Sequence, residues 1–482
     1  MSLTNILILI SISLGICALS RFERTRRWRG IILLIISVVV IFWLQPTLPI
    51  RGLDFWLPCA TLALAGLGWV LTSLPGELNR RETTATILIV TGTVLLITLT
   101  RYLGSAGILT ASRPPQTVTV LLVTLVSLVL LLALSRMSGR FKFSLSLGII
   151  GILLLFIVLK LPSLTFAVSG LLRGLTGQSR EMASALDIRW LGFSYIAFRL
   201  IHTLRDRQVG RLPSMTLREY LVYILFFPAV SAGPIDRSER FIKDLRAEFS
   251  PGALEVGTGI TRMVVGMFKK FVVADALALI SLNATNAAQV DAAGWLWLLL
   301  LAYSLQIYLD FSGYTDIALG MAVLMGIRLP ENFRAPYLKP NLTRFWDNWH
   351  ITLTQWFRAY FFFPLTRFLR TRTKWLPVWL VILVTQLSTM ILIGLWHGIT
   401  LNFVLWGAWH GAGLFVQNRW SGWTQRYTAR LQTRPVLNRA VTVFSTLLTF
   451  VYVTLGWVWF TIPDASLSLH VLGRLFGLGG GL

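Results

Sequence analysis

Seven apolar runs, at 3–19, 31–49, 55–74, 84–100, 117–135, 143–159 and 190–204, dominate the first half of the chain. A run of about 18 apolar residues is long enough to cross the hydrocarbon core of a bilayer as a helix. Composition agrees: 55% of the 482 residues are hydrophobic and 13% are charged, where a soluble domain carries roughly 25% charged residues. The expected fold is all-α, a polytopic membrane protein. The first run has no basic segment before it, and its charges follow it. We read it as a retained span rather than a cleaved signal peptide. Cys17 and Cys59 lie in apolar runs without metal-ligand spacing or disulfide logic, so they read as small core residues and no metal site is expected.

The net charge of +24 would suggest nucleic acid in a soluble protein. Here the basic residues sit between apolar runs and no basic stripe interleaves with exposed aromatics, so nucleic acid is not an expected partner. Positive-inside topology and attraction to anionic membrane lipids account for the charge instead. Arg21, Arg24, Arg26, Arg27 and Arg29 follow the first run; Arg80 and Arg81 follow the third; Arg136, Arg140 and Lys142 follow the fifth; Arg205, Arg207, Arg211 and Arg218 follow the seventh. Arg51 alone stands in the first intervening loop. This alternation puts the N-terminus outside the cell (inner) membrane and the four basic loops in the cytoplasm. The loop 160–189, with Lys160, Arg173, Arg180 and Arg189, departs from the alternation.

Beyond residue 221 the pattern changes. Shorter runs are interrupted at FFPAVSAGPIDR (226–237), DFSGYTD (310–316) and RLPENFRAPY (328–337). Non-helical backbone at membrane depth survives only when buried in protein or lining a wet cavity, so a polar cavity is expected here. Two of the five histidines, His397 and His410, occupy twin Trp-His-Gly copies in LWHGITLNFVLWGAWHG (395–411). A third, His350, lies in 343–374. There Phe345, Trp349, Leu353, Trp356 and Tyr360 recur at helical spacing, with His350 beside them. The segment reads as one amphipathic helix, too polar to span and lying near the interface. A span follows at 375–396. His202 and His470 read as structural.

Three chemistries suit histidines at this depth. Haem ligation by His397 and His410 fails: thirteen positions on one helix turn through ~1300°, or ~220° net, so the rings face nearly opposite ways. His202 is the one other histidine in an obvious span, too few for partner ligands. Acyl transfer needs a histidine to deprotonate an acceptor hydroxyl and a site that stabilises the oxyanion, with no covalent enzyme intermediate. That suits a chain without a reactive cysteine or nucleophile elbow. A transporter or flippase would use the same groups as proton relays.

The ordered set LQIYLDFSGYTDIALG (305–320), PENFRAPY (330–337), RFWDNWHITLTQWFR (344–358), GLWHG (394–398) and WGAWHG (406–411), with FFPAVSAGPIDR before it, resembles the membrane-bound O-acyltransferase (MBOAT) family. The bacterial alginate O-acetylation branch is the nearest likeness and the teichoic acid D-alanylation branch the next. The resemblance covers roughly 190–475. It implies a helical bundle around a transmembrane tunnel, with broken and interfacial helices. It also implies an N-terminal set of additional helices over 1–110 and an acyltransferase core over 111–482.

Carried onto these residues, the resemblance makes His397 the catalytic general base and His350 an assisting polar group 47 positions earlier, while His410 is not the catalytic position. It implies transfer of an acyl group, acetyl foremost, to hydroxyls of an extracytoplasmic polysaccharide. Acyl-CoA or an acyl-carrier thioester would be co-substrate, with no permanently bound cofactor and with an external acyl-relay partner protein. A flippase of an acylated or lipid-linked intermediate, or a D-alanyl transferase to a teichoic acid-like polymer, is the alternative. Arg367, Arg370, Arg372 and Lys374 read either as a positive-inside cluster or as contacts to donor phosphates. Asp310 and Asp316 read as hydrogen-bonded packing groups or as tunnel lining. Asn402 reads as an amide satisfying backbone after the Gly398 turn or as a group orienting an imidazole. The sequence departs from the branch at Ala359, at Thr366-Arg367 and at Ile196-Ala197-Phe198-Arg199.

Overall fold

The computed structural model describes residues 2–73, 80–104, 109–137 and 144–478. Arg140 and Lys142, in the basic loop after the fifth run, and residues 479–482 lie outside them. The described residues are helical throughout their regular structure and contain no strand, as the apolar runs require. Among the described residues six helices are long and apolar enough to cross a membrane: Leu53–Thr72, Arg81–Tyr102, Thr117–Ser135, Ala293–Leu324, Val378–His397 and Pro435–Thr461. Ser144–Lys160 and Pro162–Leu175 add a seventh if taken as one bent span, with a 90° bend between them. The chain is thus a multi-pass membrane protein. Leu3–Leu19 and Arg29–Trp43 are apolar but shorter.

The chain divides into two compact units. One comprises Met1–Met263 with Ala318–Pro330, the other Val264–Ile317 with Glu331–Leu482. Residue 110 lies inside the first.

In the first unit, helix Leu53–Thr72 meets the helix Leu217–Leu225 at Gly68. A Cβ there would stand 2.5 Å from the Tyr220 hydroxyl. The seventh run forms Phe193–Gln208, whose residues from Tyr195 to Leu204 are all buried. Among them is Arg199, 2% exposed, where a purely apolar residue would be expected. Its guanidinium donates to the carbonyls of Tyr223 (3.2 Å), Ile224 (2.8 Å) and Ala229 (3.0 Å). These carbonyls flank the Pro-containing break after Leu225, where helical bonding stops. A buried arginine therefore supplies the donors that irregular backbone needs away from water.

In the second unit, helix Val378–His397 keeps its hydroxyls internally satisfied. Thr385 and Thr389 each donate to the carbonyl four residues back, at 2.8 and 2.6 Å. It turns at Gly398 into Leu401–Gln432, and the two helices touch backbone to backbone. A Cβ on Gly394 would lie 2.1 Å from the Phe403 carbonyl oxygen, and one on Gly407 2.5 Å from the Ile391 Cα. On Gly411 it would lie 2.8 Å from the Leu387 Cα. Small residues at such positions let membrane helices approach closely. Gly394, beside His397, serves this packing as Gly407 and Gly411 do.

Two expectations are corrected. DFSGYTD is not a break: it lies within the continuous helix Ala293–Leu324. Gly313 there admits a neighbouring backbone, since its Cβ would sit 2.7 Å from the Gly266 carbonyl oxygen. Nor is 343–374 one amphipathic helix. It is Leu342–Trp346, then Ile351–Phe357, a π-helical turn Arg358–Phe362, and Phe363–Arg372. The periodic stripe is interrupted at 347–350, ending at His350.

Candidate functional site

His350 begins helix Ile351–Phe357 with φ 42° and ψ 53°, the left-handed region. A non-glycine residue there is uncommon and needs surroundings that hold it. Asn332 provides them. Its main-chain carbonyl accepts from the N–H of Ile351 at 2.9 Å. Its side-chain Oδ1 accepts from the Thr352 N–H (3.2 Å), the Thr352 hydroxyl (2.7 Å) and His350 Nδ1 (3.3 Å). One bond lower, the Arg334 N–H donates to the Asn348 carbonyl at 3.1 Å. PENFRAPY thus clasps the turn that presents the imidazole.

This clasp fixes a tautomer. An oxygen already accepting from two donors accepts from Nδ1 as a third, so Nδ1 carries the proton and Nε2 carries the lone pair. His350 is 3% exposed, and Nε2 has no hydrogen-bond partner among the described residues. Phe311 packs edge-on against the ring at 4.7 Å between centroids.

His397 is the last residue of helix Val378–His397 and is half-buried. Trp396 stands between the two histidines, its ring centroid 6.2 Å from His350 and 4.5 Å from His397. The imidazoles are near enough for charge on His397 to be felt at His350. Phe403, Trp406 and Phe460 complete the wall around His397 at 5.9, 5.7 and 4.8 Å. The structure thus brings together the two histidines singled out in the sequence.

His410 is one helix turn beyond Trp406, fully buried, with both ring nitrogens unpartnered. Trp346 and Trp406 enclose it at 5.2 and 5.0 Å. A groove of about 90 Å³ opens nearby between Trp346, Thr354, Arg358, Gln386 and Thr389. Two buried polar atoms without partners, Trp346 Nε1 and Gln386 Oε1, belong to its lining residues. Arg358 beside it is paired with Asp347.

The other candidates have partners of their own or are exposed. Asp310 is paired with Lys270, and Asp316 with Lys269 at 2.7 Å. The lysines come from the π-helical segment Phe268–Ala274. Asn402 donates to the Ile462 carbonyl (2.5 Å) and the Ser468 hydroxyl (3.0 Å), tying down another helix end. Arg367, Arg370, Arg372 and Lys374 are exposed along and just beyond Phe363–Arg372. His202 is buried against Ser238 and Asp206 at 3.3 and 3.4 Å, and His470 is exposed. Sequence reasoning missed Asn332. Its signal was an amide two residues after Pro330 in a stretch already marked as irregular.

The family model for MBOAT, the membrane-bound O-acyltransferase family, matches residues 118–458. The chain belongs to the membrane-bound O-acyltransferase family. Among its relatives is the probable alginate O-acetylase AlgI of Pseudomonas syringae pv. tomato, 34% identical over 296 residues, covering 60% of this chain and 51% of the relative. The teichoic acid D-alanyltransferase of Bacillus subtilis is 31% identical over 279 residues, 57% of this chain and 69% of that protein. The peptidoglycan O-acetyltransferase of Helicobacter pylori is 32% identical over 270 residues, 54% and 47% respectively. The chain spans about half the length of the alginate relatives it matches. In this MBOAT chain the matched region contains His350, His397, His410 and Asn332.

Proposed function

We propose that this chain is a membrane-embedded O-acyltransferase moving an acyl group, acetyl foremost, from a cytoplasmic thioester to hydroxyls of an extracytoplasmic polysaccharide. One observation carries the reading. A buried imidazole with its Nε2 lone pair unpartnered stands one indole away from a second imidazole at a helix end. Family membership supports the reaction class, and the relatives' names support a cell-surface polymer as acceptor.

In this mechanism His397 takes the proton of the acceptor hydroxyl. The alkoxide oxygen attacks the thioester carbonyl, forming the new C–O bond and a tetrahedral oxyanion. Collapse breaks the C–S bond, and the imidazolium returns its proton to the leaving thiolate. The products are an ester and a free thiol. His350, fixed by Asn332, keeps an unpartnered lone pair one indole away from His397 and assists by orienting the hydroxyl. The exposed cations at Arg367, Arg370, Arg372 and Lys374 suit the phosphates of coenzyme A or phosphopantetheine. An external acyl-relay protein would receive the group outside, and membrane lipids surround the spans.

The test is thiol release. Purified protein in lipid, given acetyl-CoA and an acceptor hydroxyl compound, should release free thiol and form an ester, and with the external relay protein added the ester should reach the polymer. A transporter would do neither. The proposed orientation, with the N-terminus outside the inner membrane, predicts that a reporter fused after Arg29 reads cytoplasmic and one after Leu53 external. The opposite pair would reverse the donor side.

A further inference from the structure

The first unit contains a cleft that the acyl-transfer reading does not use. Its volume is about 410 Å³, and it opens where the apolar helix Arg29–Trp43 begins. Arg26, Arg27, Arg29, Arg218 and Arg246 line it. Three carboxylates share the lining. Glu219 is committed to Arg246, at 2.7 Å from Nε and 2.8 Å from Nη2. Glu23 bridges Arg27 loosely at 3.8 Å, with both side chains in solvent. Glu248 is exposed. Arg218 also meets Glu82, outside the lining, at 3.6 Å. Arg26 and Arg29 have no such pair among the described residues, so the cleft keeps a surplus of positive charge.

Arg29 is the unusual member. It is 5% exposed, yet no carboxylate bonds to it. Its Nη2 donates to the main-chain carbonyls of Asp244 (2.8 Å) and Leu245 (2.6 Å), and its Nη1 has no partner. The Asp244 carboxylate is instead used by the Arg328 N–H at 2.8 Å. Nε of Arg26 is also buried without a partner. The Asp244 carboxylate acts on Arg29 only through space, so a bound anion would supply the direct pairing that this buried guanidinium lacks. Gly30 exposes the first turn of a 15-residue helix to the same cleft, where unpaired N–H groups and the helix dipole favour negative charge.

We propose that this cleft binds a phosphate-bearing ligand, with Arg26, Arg29 and Arg218 holding the phosphate over the start of helix Arg29–Trp43. Guanidinium groups match phosphate oxygens in a two-point fork. The cleft lies at the end of two apolar helices, so an anionic phospholipid is one source of that phosphate. A soluble phosphorylated compound is the other.

Native mass spectrometry of the full-length protein in detergent tests this. One arm titrates phosphatidylglycerol against phosphatidylcholine; the other titrates pyrophosphate. Saturable binding in the first arm identifies a headgroup ligand, and in the second a soluble one. In the arm that binds, the double variant Arg26→Gln/Arg218→Gln should weaken binding at least tenfold. Arg439→Gln, an exposed arginine of the other unit, should leave it unchanged. Absence of saturable binding in both arms overturns the proposal. So does equal weakening by Arg439→Gln, which would mean diffuse charge rather than a site. Arg26 and Arg218 are chosen because Arg29 also holds backbone carbonyls and its loss would disturb folding.

Discussion

Replacing Asn332 by Ala removes one oxygen on which three hydrogen bonds converge. The Thr352 hydroxyl can rotate to another acceptor. The Thr352 N–H and His350 Nδ1–H cannot, and each buried donor left unsatisfied costs about 1–3 kcal/mol. The left-handed backbone at His350 stores a further ~1–3 kcal/mol. Its relaxation lets the turn move and returns part of the loss. The expected destabilisation is therefore a few kcal/mol, with the imidazole displaced and its tautomer no longer fixed. A misplacement of about 1 Å costs on the order of 10²-fold in rate, so thiol release per inserted molecule should fall by about that factor. Asn332→Asp is the informative companion. The Asn332 Nδ2 has no partner, so an oxygen in its place breaks no hydrogen bond. All three acceptances survive, and the carboxylate favours imidazolium at His350. Activity should return in large part, with the acidic limb of the pH–rate profile moved upward. The assay is thiol release from acetyl-CoA across pH, normalised to membrane-inserted protein. Wild-type rates in Asn332→Ala, or equal loss in both variants without a pH shift, would refute the positioning role.

His397→Ala should cost ~10²–10⁴-fold in transfer while the protein stays inserted, as loss of a general base does. His410→Gln should keep transfer per folded molecule and lower thermal stability; the reverse pattern would give the chemistry to the second Trp-His-Gly copy. Replacing Arg370, Arg372 and Lys374 together by Gln should raise KM for the thioester and leave kcat largely intact; unchanged kinetics in a protein lost from the membrane would indicate a topological role alone. Burial pushes the Asp187 carboxyl up, but bonds from Arg173 (2.8 Å) and Ser169 (2.6 Å) outweigh it and hold it below the usual carboxylate range. That stability is present above an ordinary carboxylate pKa and is lost as pH falls through the depressed one. Asp187→Asn should therefore destabilise by ~3–5 kcal/mol near neutral pH, and thermal unfolding curves of variant and wild type should converge in acid.

The spans were legible because lipid demands length and apolarity, which a local window records. Runs at 55–74, 84–100 and 117–135 reappear as Leu53–Thr72, Arg80–Leu99 and Thr117–Met137. What failed was set by distant partners. The stripe through Phe345, Trp349 and Leu353 has sound helical spacing, but His350 takes its conformation from Asn332, eighteen residues earlier. Periodicity does not contain that hydrogen bond. DFSGYTD looked like a break because glycine and aspartate weaken a helix in isolation. In the folded chain Gly313 receives a neighbouring backbone and both aspartates receive lysines. Arg199 was noticed as a departure from a pattern, but its work lies in three carbonyls that become acceptors when the next helix stops. The pair His350 and His397 was legible as types in a setting, and its geometry only through the tertiary clasp.

The glycine-lined contact between Val378–His397 and Leu401–Gln432 bears on how the protein meets bilayers of different thickness. Single helices answer a thinner or thicker hydrocarbon layer by tilting. Two helices seated backbone on backbone at Gly394, Gly407 and Gly411 tilt together. His397 rides on one, and Phe403 and Trp406, which wall it, ride on the other. A change in lipid chain length then carries the imidazole and its aromatic wall as one piece, so their mutual spacing does not depend on the membrane that holds them.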